Sequence, residues 1–286
     1  MNKNYKSTED IKTYSQIINK LRYFCLKKGF IEVHTQDRLS ILAACEDPET
    51  VATFEYLGQT WPLPQTGQMW LEYELLTNPG LPGVFCVSTS FRNEQNPVPG
   101  RHKKIFPMFE YELPGGIDEL KSFEIELLNE LGFGKDDDYI HQSYDDLAKF
   151  YNTKELTHRH ENQMLIDFGP VVFCEKFPIY TSPFWNMKIE SKEHANKIDV
   201  ILYGNETIGS AERSSDKEQM NSQFYTISEG RYAKKLFDLF GTDRVESELQ
   251  EFLELNFFPR SGGGIGLTRL IDALKKKGES NELQLK

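Results

Sequence analysis

Residues 256–277 read NFFPRSGGGIGLTRLIDALKKK. An aromatic, extended run meets a glycine cluster at Gly262, Gly263, Gly264 and Gly266, and an amphipathic helix begins near Leu267. Glycine lets backbone approach a ligand closely, and Arg269 follows at the helix start, where backbone N–H groups and the helix dipole favour anions. The pattern is neither GxGxxG behind a parallel strand nor a GxxxxGK run, so a Rossmann or P-loop site fails on its own spacing. A packing turn accounts for the glycines but leaves Arg269 unexplained.

Working outward, residues 8–28 place Ile11, Tyr14, Ile17, Ile18, Leu21 and Phe24 on one helical stripe, opened by Thr8 and closed at Gly29. Three aromatic and β-branched runs, FIEV (30–33), GVFCVSTSFR (83–92) and IFPMFEYEL (105–113), read as strands, and the last two are joined by the basic loop NEQNPVPGRHKK. Residues 118–131, 145–157 and 229–255 read as helices, while KIDVILYG (197–204) alternates as a strand does. The pattern predicts an α+β fold, an antiparallel β-sheet flanked by helices, without internal repeats.

The 286 residues, 38% hydrophobic and 13% aromatic, suffice for one large domain spanning 1–286. The balance of 33 Lys plus Arg against 44 Asp plus Glu, a net charge of −11, opposes the positive field that polyanion-binding proteins present, so extensive tRNA contact is disfavoured. Cys25, Cys45, Cys86 and Cys174 show no CxxC spacing, which points to a reducing, cytoplasmic setting. No apolar run approaches the ~20 residues of a membrane span, and the polar start MNKNYKSTEDIK is unlike a signal peptide.

Two further constellations carry chemistry. Arg92, Glu94 and Phe106, with Arg101 and His102 in the loop between, lie on one predicted hairpin. An arginine there can grip phosphate bidentately, a glutamate two residues on faces the same side, and a planar Phe can stack on a purine; a solvated ion pair beside a core Phe fits the same residues. Asp199 and Glu206 are separated by VILYGN. Paired carboxylates suit Mg2+, and they also suit a plain acidic surface. An odd spacing of seven puts the two on opposite faces of a flat strand, so convergence requires a break, which Gly204-Asn205 supplies. His158 and His160 read as solvated side chains rather than metal ligands.

In this order and at this separation, the three fragments resemble the catalytic core of class II aminoacyl-tRNA synthetases, most closely the asparaginyl and aspartyl branch, from about residue 10 to about residue 275. Arg92, Glu94, Arg101, His102 and Phe106 look like the second signature motif, and GGGIGLTRL (262–270) looks like the third. The stretches LPQTGQMWLE (63–72) and FPIYTSPFWNMK (177–188) are similar to asparaginyl-type segments. The resemblance implies ATP and Mg2+ as cofactors. Arg92 would hold the α-phosphate, Glu94 would read the adenine amino group, and Phe106 would stack on adenine. Arg101 and His102 would contact the outer phosphates and Arg269 the γ-phosphate, above Gly264 and Gly266. Asp199 and Glu206 match the acidic metal pair, Gln68 would face the amino-acid substrate, and Arg213 would recognise its carboxylate.

Departures shape the expectation. Gln36 stands where the first motif usually carries proline, which weakens the inference of the usual homodimer interface, and Ile105 replaces a glutamate before the stacking Phe. Leu71 occupies the place of an aspartyl-type lysine, which disfavours aspartyl-tRNA synthesis, and TIGSAERSSD after Glu206 departs from the usual glycine run. The chain reaches its first motif by about residue 30, leaving no room for an N-terminal anticodon-binding barrel. What remains resembles free-standing asparagine synthetases, homodimeric amide ligases that join aspartate to ammonia. Transfer to tRNA, a carrier protein or a small molecule is the rival within the enzyme class, and a catalytically silent nucleotide-binding paralogue is the rival outside it.

Overall fold

The structure is a computed structural model that describes residues 11–35, 39–42, 48–95, 97, 103–181, 184–191 and 193–284. In chain order its elements are α1 (Ile11–Lys27), β1 (Ile31–Glu32), β2 (Ala52–Tyr56), β3 (Gln59–Leu63), α2 (Gln68–Thr77), β4 (Val84–Phe91), β5 (Ile105–Pro114), α3 (Ile117–Glu130), β6 (Ile140–Ser143), α4 (Tyr144–Phe150), α5 (His158–Asp167), β7 (Val171–Pro178), β8 (His194–Leu202), β9 (Asn205–Arg213), α6 (Lys217–Thr226), α7 (Arg231–Phe240), α8 (Thr242–Leu253), β10 (Arg260–Gly266) and α9 (Leu267–Gln284). Eight strands form one sheet in the order β1-β4-β5-β10-β9-β8-β7-β6. Its pairings are antiparallel except β1 with β4 and β6 with β7, while β2 and β3 form a separate hairpin. This is the α+β arrangement that the strand pattern predicts.

Side-chain alternation along the strands divides the molecule into two faces. Along β5, Phe109, Tyr111 and Leu113 join Ile198, Val200, Ile208 and Ile265 of the other central strands in a core covered by Leu21 and Phe24 of α1, Phe123 and Leu127 of α3, and Leu270 and Ile271 of α9. The opposite face of β5 carries Phe106, Met108, Glu110 and Glu112. Beside that face, α2, α6, α7 and α8 build a second core around Trp185, Phe224, Leu236, Leu249 and Phe252. The functional face is therefore open at one end and roofed by helices at the other.

Two expected helices are shorter in the structure. The one read over 145–157 ends at Phe150, because Asn152 turns into a left-handed conformation at φ +50°. His158 and His160 belong to a new helix, α5, whose first turn is closed by the Thr157 N–H donating to His160 Nδ1 at 2.9 Å. The run 229–255 divides at Gly241, whose φ of +88° no helix interior accepts. Among the described residues no helix is long and apolar enough to cross a membrane.

Beneath the sheet, Tyr111 OH donates to Glu124 Oε1 at 2.6 Å, and burial pushes the Glu124 carboxyl up to about 7 against that hydrogen bond. An unfolded glutamate ionises near 4.3, so the folded state holds the extra proton between those values and stability falls as pH rises through that window. Glu124→Gln keeps the shape and removes the ionisation. Relative to wild type it should gain about 2–3 kcal/mol between pH 5 and pH 8 in urea unfolding, and parallel pH profiles would refute the assignment.

Candidate functional site

The site is built on the face of the sheet where β10, beyond Arg260 at its start, carries only glycine. Its central position sets Gly262 opposite Glu112, Gly264 opposite Glu110 and Gly266 opposite Met108 on β5, with Gly264 opposite Gly209 on β9. A Cβ at Gly262 would stand 1.8 Å from Glu112 Oε2, and one at Gly264 would stand 2.8 Å from Met108 Cε and 3.1 Å from Gln68 Nε2. At Gly266 the nearest atom is 3.8 Å away, so the floor is open there. Gly264 and Gly266, with Gly209 of β9, form the base of a cleft that is open to solvent.

Most of the sequence-nominated residues converge on this cleft. Gln68, Arg92, Glu94 and Phe106 line one side, and Glu206 and Arg269 line the other, above Gly264 and Gly266. The Arg92 N–H donates to the Lys104 carbonyl at 2.8 Å, closing the hairpin, and its guanidinium lies 5.5 Å from the centroid of the Phe106 ring. Arg269, in the first turn of α9, donates to the Glu206 carbonyl at 2.5 Å and approaches its carboxylate at 3.7 Å. A cation, an aromatic face and a carboxylate beside a second cation thus face one space. Arg101, His102 and Gln36 lie outside the described residues.

The remaining two candidates, Arg213 and Asp199, do not line the cleft, though Asp199 pairs across the ladder with Gly209, which does. Arg213 is fully buried; it donates to Gln68 Oε1 at 2.6 Å and to both Glu112 oxygens at 3.1 Å. It therefore reaches the cleft through Gln68. Asp199, on β8, accepts from Lys197 Nζ at 2.8 Å through Oδ2, while its Oδ1 has no hydrogen-bond partner. Burial raises the Asp199 carboxyl above its ordinary range, with Lys197 opposing the shift. Among the described residues no group of three or more His, Cys, Asp or Glu side chains is placed to hold a metal ion unaided. Mg2+ fits differently, because it takes one or two carboxylates together with phosphate oxygens. The carboxylate of Glu206, 39% exposed at the cleft, suits that donor set, and Asp199 offers Oδ1, which has no hydrogen-bond partner.

Sequence reasoning passed over the buried charges that hold these residues in place. Glu110 accepts from the Gly67 N–H at 2.8 Å and from the Thr66 and Ser88 hydroxyls, fixing the start of α2 and hence Gln68. Burial raises its pKa, and those hydrogen bonds pull it back. One turn on, Glu72 accepts from Asn186 Nδ2 at 2.7 Å and from two Arg260 nitrogens at 3.0 and 2.8 Å, with Arg213 at 3.6 Å. The available signal was the alternation in FEYEL, which sets Glu110 and Glu112 between core aromatics. The same alternation pairs Met108 with Phe106, and Thr66, Lys103 and Thr268 also line the cleft.

The model of the tRNA synthetases class II (D, K and N) family matches residues 1–282, and the chain belongs to that family. Among solved structures it is similar to asparaginyl-tRNA synthetase from Pyrococcus horikoshii complexed with asparaginyl-adenylate, with a TM-score of 0.76, 20% identity, and coverage of 93% of this chain and 65% of that one. Asparaginyl-tRNA synthetase from Entamoeba histolytica, also with asparaginyl-adenylate, gives 0.73 at 18% identity, covering 92% and 63%. A putative aspartyl-tRNA synthetase from Leishmania major Friedlin gives 0.71 at 16%, covering 92% and 62%. The chain thus spans less than two thirds of the length of these proteins. No curated protein matches it.

The Glu72–Arg260 pair has no exposure on either side chain, so losing one partner strands a buried charge. Arg260→Met should destabilise the fold by about 3–5 kcal/mol, and Arg260→Met combined with Glu72→Gln should recover a substantial part of that loss. Chemical denaturation of both variants measures the coupling; simple additivity would show that the pair is not coupled.

Proposed function

We propose that the protein activates an amino-acid carboxylate by adenylation: a carboxylate oxygen attacks the α-phosphorus of ATP, the bond to the bridging oxygen breaks, and pyrophosphate leaves. The observation that carries this reading is the convergence of Arg92, Phe106, Glu206 and Arg269 over a floor without side chains. Such chemistry needs no protein nucleophile, only alignment and charge stabilisation. Arg92 would meet the α-phosphate, Phe106 the purine face, Glu94 its amino group, and Arg269 the γ-phosphate. Mg2+, when bound, neutralises phosphate charge beside Glu206. Gln68, anchored by Arg213, faces the amino acid, so Arg213 orients the substrate through Gln68 rather than by direct contact.

In the finer reading the acid is aspartate and the acceptor is ammonia, whose nitrogen attacks the acyl carbon and displaces AMP. The net charge of −11, unfavourable for extensive tRNA contact, supports it. The same reading takes 1–286 as one catalytic domain working as a homodimer in the cytoplasm. The exposed Tyr23, Leu26 and Ile31 on α1 and β1 and the buried thiols of Cys25 and Cys174 are consistent with this.

ATP–pyrophosphate exchange across a panel of amino and other carboxylic acids tests adenylation without presuming an acceptor. Exchange with at least one acid is expected, and Arg92→Ala and Arg269→Ala should each lower it by roughly 10²–10³ while leaving thermal unfolding near wild type. Exchange with no acid, or near-normal exchange in Arg92→Ala, would refute the reading. Ammonium ions, but not bulk tRNA at physiological salt, should then discharge the adenylate.

A further inference from the structure

When ammonia accepts the acyl group, the nitrogen arrives at neutral pH mostly as ammonium, which has no lone pair. It must lose a proton before it can attack, so a base has to reach the cleft. The two described carboxylates that line the cleft, Glu94 and Glu206, are taken by the purine and by Mg2+ in the adenylation reading.

Glu110 brings a third carboxylate to the floor from below. It is fully buried on β5, and a Cβ at Gly264 of the floor would stand 3.5 Å from its Cγ. Its hydrogen bonds are accepted ones: Oε1 takes the Thr66 hydroxyl, and Oε2 takes the Ser88 hydroxyl and the Gly67 N–H at 2.8 Å. Burial raises its pKa against these donors, so desolvation favours the uptake of a proton there.

Thr66 connects that carboxylate to the cleft. A hydroxyl carries one proton and two lone pairs. Thr66 gives its proton to Glu110 and accepts from the Gln68 N–H at 3.1 Å, which among the described residues leaves one lone pair, and it lines the cleft beside Gln68.

Resting on the reading of adenylation followed by transfer to ammonia, we propose that Thr66 and Glu110 form the proton relay of the acceptor step. Ammonium passes a proton to Thr66 Oγ1 while the Thr66 hydroxyl proton moves to Glu110 Oε1. The lone pair so exposed attacks the acyl carbon, and the bond from that carbon to the AMP oxygen breaks. The leaving phosphate keeps the bonding electrons, and the second surplus proton of the nitrogen goes to solvent. Glu110 then returns its proton through Thr66. Thr66 meets the nitrogen, and Glu110 acts through Thr66.

Discharge of the adenylate formed on the protein, measured beside ATP–pyrophosphate exchange, separates the two steps. Thr66→Val should lower the ratio of ammonium discharge to exchange about 10²-fold or more, and Thr66→Ser, which keeps the hydroxyl, should hold it within about threefold of wild type. Hydroxylamine is uncharged at neutral pH and brings its lone pair with it, so its discharge should fall far less in Thr66→Val. Glu110→Gln should reproduce the Thr66→Val pattern, and it decides the question should Thr66→Val fail to fold. Equal losses with ammonium and hydroxylamine, or a Thr66→Ser variant as impaired as Thr66→Val, would show a packing role and overturn the relay alone. Wild-type exchange without ammonium discharge would overturn the relay together with ammonia as acceptor. Exchange with no acid would overturn adenylation as well.

Discussion

Every feature of the functional face depends on β10 running through the middle of the sheet with glycine wherever a side chain would point into the site. At Gly262 the space is taken by the Glu112 carboxylate, at Gly263 a Cβ would meet Ser210 at 2.5 Å on the other face, and at Gly266 the nearest atom to a Cβ is 3.8 Å away. Glycine in a strand interior costs roughly 0.5–1 kcal/mol each in chain entropy. That loss is offset on the reverse face, where Ile265 is buried among the aromatic residues of β5 and the apolar side of α9. The strand therefore trades local stability for a trough, and burial on its far side keeps it in place.

Charge takes the place of hydrophobic packing at the inner end of the trough. Glu72, Glu112, Arg213 and Arg260 are buried together, and their hydrogen bonds join α2, β5, β9 and β10. Such a cluster contributes little net stability against an apolar alternative, but it leaves few alternative arrangements once formed. Glu110 extends the same principle to the first turn of α2. The side chains facing the cleft are thus held by partners behind them, in keeping with a site that works through alignment.

The sequence was most legible where one rule acted alone. The 3.6-residue stripe of α1, the alternation of β5 and the helix start at Leu267 were readable from pattern, whereas the strand read at the aromatic run falls on the glycines themselves, Arg260–Gly266. So was the gathering of Arg92, Glu94 and Phe106, because a hairpin fixes which residues face each other. The break before Glu206 was expected at Gly204-Asn205; the turn falls at Tyr203-Gly204, with φ of +49° and +81°, and a bulge further back shares the work. The hairpin of β2 and β3 and the start of α2 at Gln68 escaped notice, since β2 is exposed along most of its length without alternation and the buried side of α2 carries the polar Gln68 and Glu72. Buried charge was hidden for another reason: Glu and Arg ordinarily signal surface, and only tertiary pairing places Glu72 and Arg260 inside.

The central claim is that the unfilled floor at Gly266 is the place where a nucleotide lies. Gly266→Val tests it directly, because the strand accepts a β-branched residue, the nearest neighbour to a new Cβ is 3.8 Å away, and the added methyl groups project into the trough. Calorimetric titration with α,β-methylene-ATP and Mg2+ should show affinity reduced about tenfold or more, with thermal unfolding close to wild type. Unchanged nucleotide affinity in the folded variant would contradict the account.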